Sequence, residues 1–178
     1  MSDANRKPAK SAHAHPAATP GAPAAEKAGV VPWPPLIYVI AIAASVVLHG
    51  LYPLPWFGSP MSDILVAVGW LALLAMVALY FSAFRALKRA GTPINPNARP
   101  EHLVTGGPFG VTRNPIYLAN TLLMLGVGLA TGIAWFVPLA LAAAFATQKM
   151  AIEREERWLA EKFGKRYRDY AKRVRRWI

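Results

Sequence analysis

Cysteine is missing from the 178 residues, which excludes disulfides, thiolate metal sites and cysteine nucleophiles. Charge is also scarce. Asp, Glu, Lys and Arg make up 16% of the chain, against roughly 25% in soluble domains. Acidic residues are the scarcest of these: nine stand against 20 Lys and Arg, for a net charge of +11. On a soluble protein that excess would point to nucleic acid. Its distribution argues for something else. Four cations fall in residues 1–33, five in 85–113 and eleven in 149–176, separated by apolar stretches at 36–52, 64–84 and 116–147. Basic blocks alternating with apolar runs near bilayer length describe a membrane protein whose cations stay cytoplasmic, against anionic headgroups. The lipid bilayer is therefore the expected partner, and nucleic acid is not.

The expected fold class is an all-α integral membrane protein of about four transmembrane helices, with a cytoplasmic loop and an amphipathic C-terminal helix. Residues 1–33 are rich in Ala, Pro, Lys and His without apolar periodicity, and are expected to form a disordered tail. His13 and His15 in that tail are read as solvated, and no metal is expected. The first apolar run has no small-residue cleavage pattern, so a secretory signal is not expected. Residues 34–178 are expected to form a single membrane domain.

Spans are expected at about 36–52, closed by Pro53 and Pro55, and at 62–84. The stretch from Pro115 to Met150 has 36 residues and no charge before Lys149. As one helix it would extend about 54 Å, nearly twice the hydrocarbon layer of roughly 30 Å. Two spans, 115–131 and 133–150, paired as a tight hairpin near Thr131 and Gly132, fit better. Such a hairpin returns the eleven C-terminal cations to the side of the other nine, as the positive-inside rule requires. Both termini are then cytoplasmic, with the inner membrane as the location in a bacterium. From about 152 to 177, Leu159, Phe163, Tyr167, Tyr170, Val174 and Trp177 recur at spacings of three and four. This predicts an amphipathic helix on the membrane surface or capping the bundle, with Gly164 as the point where it can bend or break.

Two cytoplasmic segments hold the candidate chemistry. Residues 102–117 contain three Gly and two Pro, which rules out a plain helix. Pro115 suits the first turn of the third helix with Asn114 at its cap. That helix start would present free backbone N–H groups at the membrane surface. The second segment, 153–156, places three Glu and an Arg where the fourth helix leaves the bilayer, and carboxylates there are costly unless paired or used. Taken singly, each residue has a plainer use. Arg113 and Lys149 can snorkel to headgroups, and Glu155 and Glu156 can form a solvated face. Tyr117 can be an interfacial aromatic and Asn120 an interhelical hydrogen-bond partner. Gly126 and Gly128 can serve close helix packing or the approach of a cofactor.

The combination is more specific. Leu-Val-Thr-Gly-Gly-Pro-Phe at 103–109 is followed by Arg-Asn-Pro-Ile-Tyr at 113–117. After the apolar stretch comes Glu-Glu-x-x-Leu-x-x-x-Phe-Gly-x-x-Tyr-x-x-Tyr at 155–170. In order and spacing, from about Thr92 to Val174, this resembles the isoprenylcysteine carboxyl methyltransferase family, parts of which are shared by phospholipid N-methyltransferases. The resemblance implies an integral membrane enzyme that binds S-adenosylmethionine at the cytoplasmic face and releases S-adenosylhomocysteine. It implies cofactor contacts from Glu101, His102, Leu103, Val104 and Phe109, from Asn114, Pro115, Ile116 and Tyr117, and from Glu155 and Glu156. Asn114 stands where the family has His, so a hydrogen bond survives but a titrating group does not. Ala151 stands where the carboxyl methyltransferases of eukaryotes have a substrate-contacting Arg, leaving Arg113, Lys149 and Arg154 as candidate substrate cations. The expected function is methyl transfer to a lipid-like acceptor, either a prenylcysteine-type carboxylate or a phospholipid amine. A non-catalytic membrane anchor or assembly subunit explains the charge and the spans equally well, but not the order of the motif residues.

Overall fold

A computed structural model of the chain describes residues 33–91 and 102–178. Residues 1–32 of the expected disordered tail, with His13 and His15, and the candidate Glu101 lie outside the described residues, and Trp33, the last of the expected tail, begins the first helix. Among the described residues every regular element is helical.

Helix α1 is Trp33–Leu51, with Pro34 and Pro35 in its first turn, where no intrahelical N–H is needed. Helix α2, Met61–Arg89, runs beyond the expected 62–84 because residues 85–89 are good helix formers. Lys88 and Arg89 suit the negative end of its dipole. After a 3-10 turn at Gly107–Gly110, helix α3 covers Pro115–Thr131 and stops at Gly132, whose φ of 74° is a left-handed helix stop.

Helix α4 is Phe136–Thr147, shorter at both ends than the expected 133–150. Residues 133–135 belong to the turn, and Gln148–Ile152 form a π turn. Helix α5, Glu153–Phe163, continues from it without a break. The expected single helix over 152–177 is divided at Gly164, whose φ of 53° and ψ of −122° suit glycine alone. Helix α6, Lys165–Arg173, follows, and the chain turns extended at Val174. The break aims Tyr167 and Tyr170 inward, and both are buried.

Packing is closest between α2 and α3, where glycine brings the backbones together. A Cβ on Gly69 would lie 2.6 Å from the Ala130 nitrogen, and one on Gly126 would lie 2.8 Å from Leu73 Cγ. A Cβ on Gly128 would meet Phe136 Cβ at 2.5 Å, so this glycine seats α4 against α3. Of the two uses open to Gly126 and Gly128, these contacts are helix packing. The core is formed by Tyr38, Ala41, Met124, Phe136, Ala140 and Ala143, where α1 meets α3 and α4.

Two helices, α1 from Pro34 and α2, are long and apolar enough to cross a membrane. Their large side chains, among them Val39, Val47, Leu71, Leu74 and Phe81, face outward rather than into the core. A water-soluble bundle would hide such surface.

Candidate functional site

The site is built where the chain enters α3. Thr112, Arg113 and Asn114 form a tight turn, with the Asn114 N–H donating to Thr112 Oγ1 at 3.2 Å. Asn114 occupies the cap position of α3, but its side chain does not cap the helix. It donates instead to the carbonyl of Arg176 at 3.0 Å, a carbonyl that also accepts from Thr112 Oγ1 at 3.1 Å. The expected cap is thus outcompeted by a backbone acceptor brought in from the far end of the chain. Pro115 behind it is buried and Ile116 half-buried.

Arg113 does not reach out to headgroups. Its guanidinium donates to the carbonyls of Ala171 at 2.8 Å and Val174 at 3.1 Å, and to Glu156 Oε1 at 2.8 Å. Arg176 approaches the same carboxylate from the other side, at 3.0 Å to Oε1 and 2.6 Å to Oε2. Burial alone would raise the Glu156 carboxyl. The two guanidiniums outweigh it and hold the group below the usual carboxylate range. Glu156 in turn raises Arg176 further above its ordinary value.

Glu155 points elsewhere. The Tyr117 hydroxyl donates to its Oε1 at 2.6 Å, joining the first turn of α3 to the first turn of α5. Protein atoms packed around this carboxylate push it above the ordinary Glu value, the Tyr117 bond opposes the shift and neighbouring Glu156 adds to it. Much of the residue's surface is nonetheless open, so water moderates the upward push. Neighbouring positions of a helix point about 100° apart, so the adjacent glutamates meet two different partners, and the π turn before α5 sets the phase in which both are presented.

The remaining candidates lie around this centre. Leu103, with Thr105, faces Arg166, Asp169, Tyr170 and Arg173 of α6 across a cleft of about 280 Å³. Phe109 joins the same wall through its carbonyl, which accepts from the Tyr170 hydroxyl at 2.6 Å. His102 is exposed at the start of this loop and Val104 is half-buried. Lys149 pairs with Glu153 at 2.9 Å, one helical turn away, and Arg154 is exposed. Neither hydrogen-bonds Tyr117 or Glu155 in the described contacts, although the charge of Arg154 acts on Glu155 and opposes the rise of its carboxyl. A second cleft, of about 350 Å³, is lined by Glu153, Glu156, Arg157, Ala160, Tyr167 and Arg176. Below the site, the Tyr38 hydroxyl of α1 bonds Thr121 Oγ1 at 2.8 Å, and the Tyr80 hydroxyl of α2 donates to Asn120. Asn120 therefore has the interhelical bond expected of it.

Arg176, Thr112 and Trp177 were not legible as site residues. Trp177 Nε1 donates to Gln148 Oε1 at 2.8 Å, within the π turn. Arg176 lies beyond α6 in extended chain, where helical periodicity carries no information. Thr112 gave a weak signal, as a hydroxyl residue two positions before a helix cap.

The family described as phospholipid methyltransferase matches residues 64–166, from α2 through the first residues of α6. A curated relative, the cobalt-zinc-cadmium resistance protein CzcN of Cupriavidus metallidurans, is 34% identical over 120 residues. The alignment covers 67% of this chain and 51% of that protein, so the chain spans about half the length of the relative. No solved structure matches.

Proposed function

This chain belongs to the phospholipid methyltransferase family, and we propose that it transfers a methyl group from S-adenosylmethionine to a lipid-like acceptor at the cytoplasmic face of a membrane. The observation that carries this reading is the Tyr117–Glu155 hydrogen bond at 2.6 Å. It unites the two segments whose residues resemble a cofactor-binding motif, although 38 positions separate them.

The residues fit such a cofactor. Glu155 uses Oε1 for Tyr117, and no described residue bonds its Oε2, which leaves an acceptor for ribose hydroxyls or an amino group. Ile116 and Tyr117, following Pro115, carry N–H groups that the first turn of α3 does not use. Glu156, held by three bonds from Arg113 and Arg176, is assigned to holding the site together rather than to the ligand. Bound there, S-adenosylmethionine would supply an activated methyl group. The chain's own task is alignment, which is worth several kcal/mol, on the order of 7–11 in favourable cases. A carboxylate acceptor needs no base. A phospholipid amine needs one, with Glu155 and His102 as the candidates; the Tyr117 hydroxyl, which donates its proton to Glu155, is not one.

In the membrane, we read α1, α2, α3 and α4 with the adjoining π turn as four spans. Alone, α4 would rise only about 18 Å, and the turn residues 133–135 before it and the π turn after it extend the span, which ends before the charged first turn of α5. Lys88, Arg89, Arg113 and the C-terminal cations then lie at one face, with both termini cytoplasmic. The acceptor enters sideways between the spans. The family match favours a phospholipid amine. Ala151, buried and uncharged where a carboxylate-binding Arg would stand, also argues against a prenylcysteine-type carboxylate.

The test is transfer of labelled methyl from S-adenosylmethionine by the purified chain in nanodiscs. Phosphatidylethanolamine and a prenylcysteine analogue are offered in parallel, and label is expected in the phosphatidylethanolamine fraction. Label in neither, together with no heat stabilisation by the cofactor, would overturn the enzyme reading in favour of a non-catalytic membrane subunit.

A further inference from the structure

Within this reading, we propose that Arg176 is a positioning residue of the cofactor site: from the extended segment after α6 it clasps Glu156 against Arg113, and so holds α5 in the register that turns Glu155 toward Tyr117. Arg176 lies outside the stretch matched by the family, which ends at residue 166.

Four observations converge on this residue. Its guanidinium grips both oxygens of Glu156, at 3.0 and 2.6 Å, which fixes the plane of the carboxylate where the single bond from Arg113 would leave it free to turn. Its carbonyl accepts from Thr112 and from Asn114, the residues that lead into α3. One residue thus touches both motif segments, with its backbone on one and its side chain on the other. The segment that carries it is pinned upstream, where the Arg113 N–H donates to the carbonyl of Arg175 at 3.0 Å and the Arg113 guanidinium to Ala171 and Val174. It is pinned downstream by Trp177 on Gln148 at 2.8 Å, in the π turn that sets the phase of α5. The extended segment is therefore a strap drawn across the joint between α3 and α5. A purely surface ion pair would need none of these backbone anchors.

Because Glu155 and Glu156 are adjacent, rotation of one moves the other. Loosening Glu156 lets α5 turn and withdraws Glu155 from Tyr117. The residue acts through Glu156, and it need not meet the ligand.

The test uses the full chain in detergent, with S-adenosylmethionine affinity and amide hydrogen exchange as readouts. R176Q is expected to raise the Kd for S-adenosylmethionine about tenfold, equivalent to 1.4 kcal/mol. KM should rise and kcat change little. R176K, which keeps the charge but loses the fork, is expected to cost about threefold. If R176Q does not fold, R176K decides. The R176Q/E156Q double variant should bind no more weakly than E156Q alone, because both lesions break one linkage. Without any ligand, R176Q should speed exchange of the amides of 153–157 while leaving α1 and α2 unchanged. Wild-type affinity in R176Q, fully additive losses in the double variant, or unchanged exchange in α5 would each overturn the proposal. A wild-type chain that binds no S-adenosylmethionine, combined with faster exchange in R176Q, would leave the strap standing and overturn the methyl-transfer reading alone.

Discussion

The α2–α3 contact and the cap formed by α5, α6 and the strap solve the same problem in opposite ways. Between α2 and α3 there is almost no charge, and the helices are held by shape. Gly69 and Gly126 remove side chains so that backbones touch, and Tyr80 to Asn120 adds a polar bond. At the cap the helices are short and rich in charge, Glu156 binds both Arg113 and Arg176, and Arg113 also binds the backbone carbonyls of Ala171 and Val174. A region held by shape fails by overpacking. A region held by directed charge fails by losing a partner. The two should therefore respond differently to substitution, acid and ligand.

The largest effect is expected at the glycine contact. G69L places a side chain where the Ala130 backbone already lies at 2.6 Å from a Cβ. Forced separation of α2 from α3 should cost about 3 kcal/mol or more. The expected outcome is loss of a monodisperse species in detergent. A G69L chain with wild-type melting would mean that the helices are not in backbone contact.

R113A attacks the cap by partner loss. It orphans two carbonyls and half of the Glu156 clasp, and removal of one member of a largely buried pair costs about 3 kcal/mol. Here the loss should stay local: rapid hydrogen exchange in α5, α6 and the strap, with α1 and α2 still protected. Uniform exchange across all helices would erase the contrast between the regions.

Acid sharpens the comparison with a smaller effect. The Glu156 carboxyl is depressed by its guanidinium partners, so its contribution is complete above the ordinary Glu value of about 4.3. It disappears as pH falls through the lower, folded value. Melting temperature should drop below about pH 4 as Glu156 protonates, while Glu155, raised in the fold, acts in the opposite sense as pH falls, and E156Q should flatten the drop. The α2–α3 contact has no titrating partner, so its protection should not change over this range. A wild-type slope retained in E156Q would assign the acid response to another group.

Y117F should produce the smallest change in stability, about 1 kcal/mol or less, from one lost hydrogen bond. Its effect should fall on cofactor affinity, because the Glu155 carboxylate loses its anchor. Wild-type affinity in Y117F would place the ligand away from this pair.

The apolar half was the more legible in sequence. Charge blocks and run lengths placed α1 to within three residues at its start, and the start of α3 at Pro115, because hydrophobicity and proline act locally. The end of α2 ran past its apolar stretch to Arg89, since helix propensity continues where hydropathy stops. The C-terminal helix was read as one, with Gly164 as the place where it could bend or break, and the structure divides it there. The apolar stripe keeps its spacing across the break, so the pattern alone did not separate a bend from a full interruption. At the site, Arg113, Tyr117, Glu155 and Glu156 were identifiable as a motif, but not which partner each glutamate meets, because the phase of α5 follows a π turn that no local pattern announces. Arg176 was unreadable because its partner lies 20 positions away and is reached only after the chain has doubled back.

The most direct measurement is thermal unfolding in detergent with and without S-adenosylmethionine, for the wild-type chain and for E155A. At 100 times its dissociation constant the cofactor should stabilise the wild type by about 2.7 kcal/mol. E155A should melt near the unliganded wild type and show no shift. An E155A chain stabilised as much as wild type, or a wild type that does not respond, would contradict a cofactor site at the joint of α3 and α5.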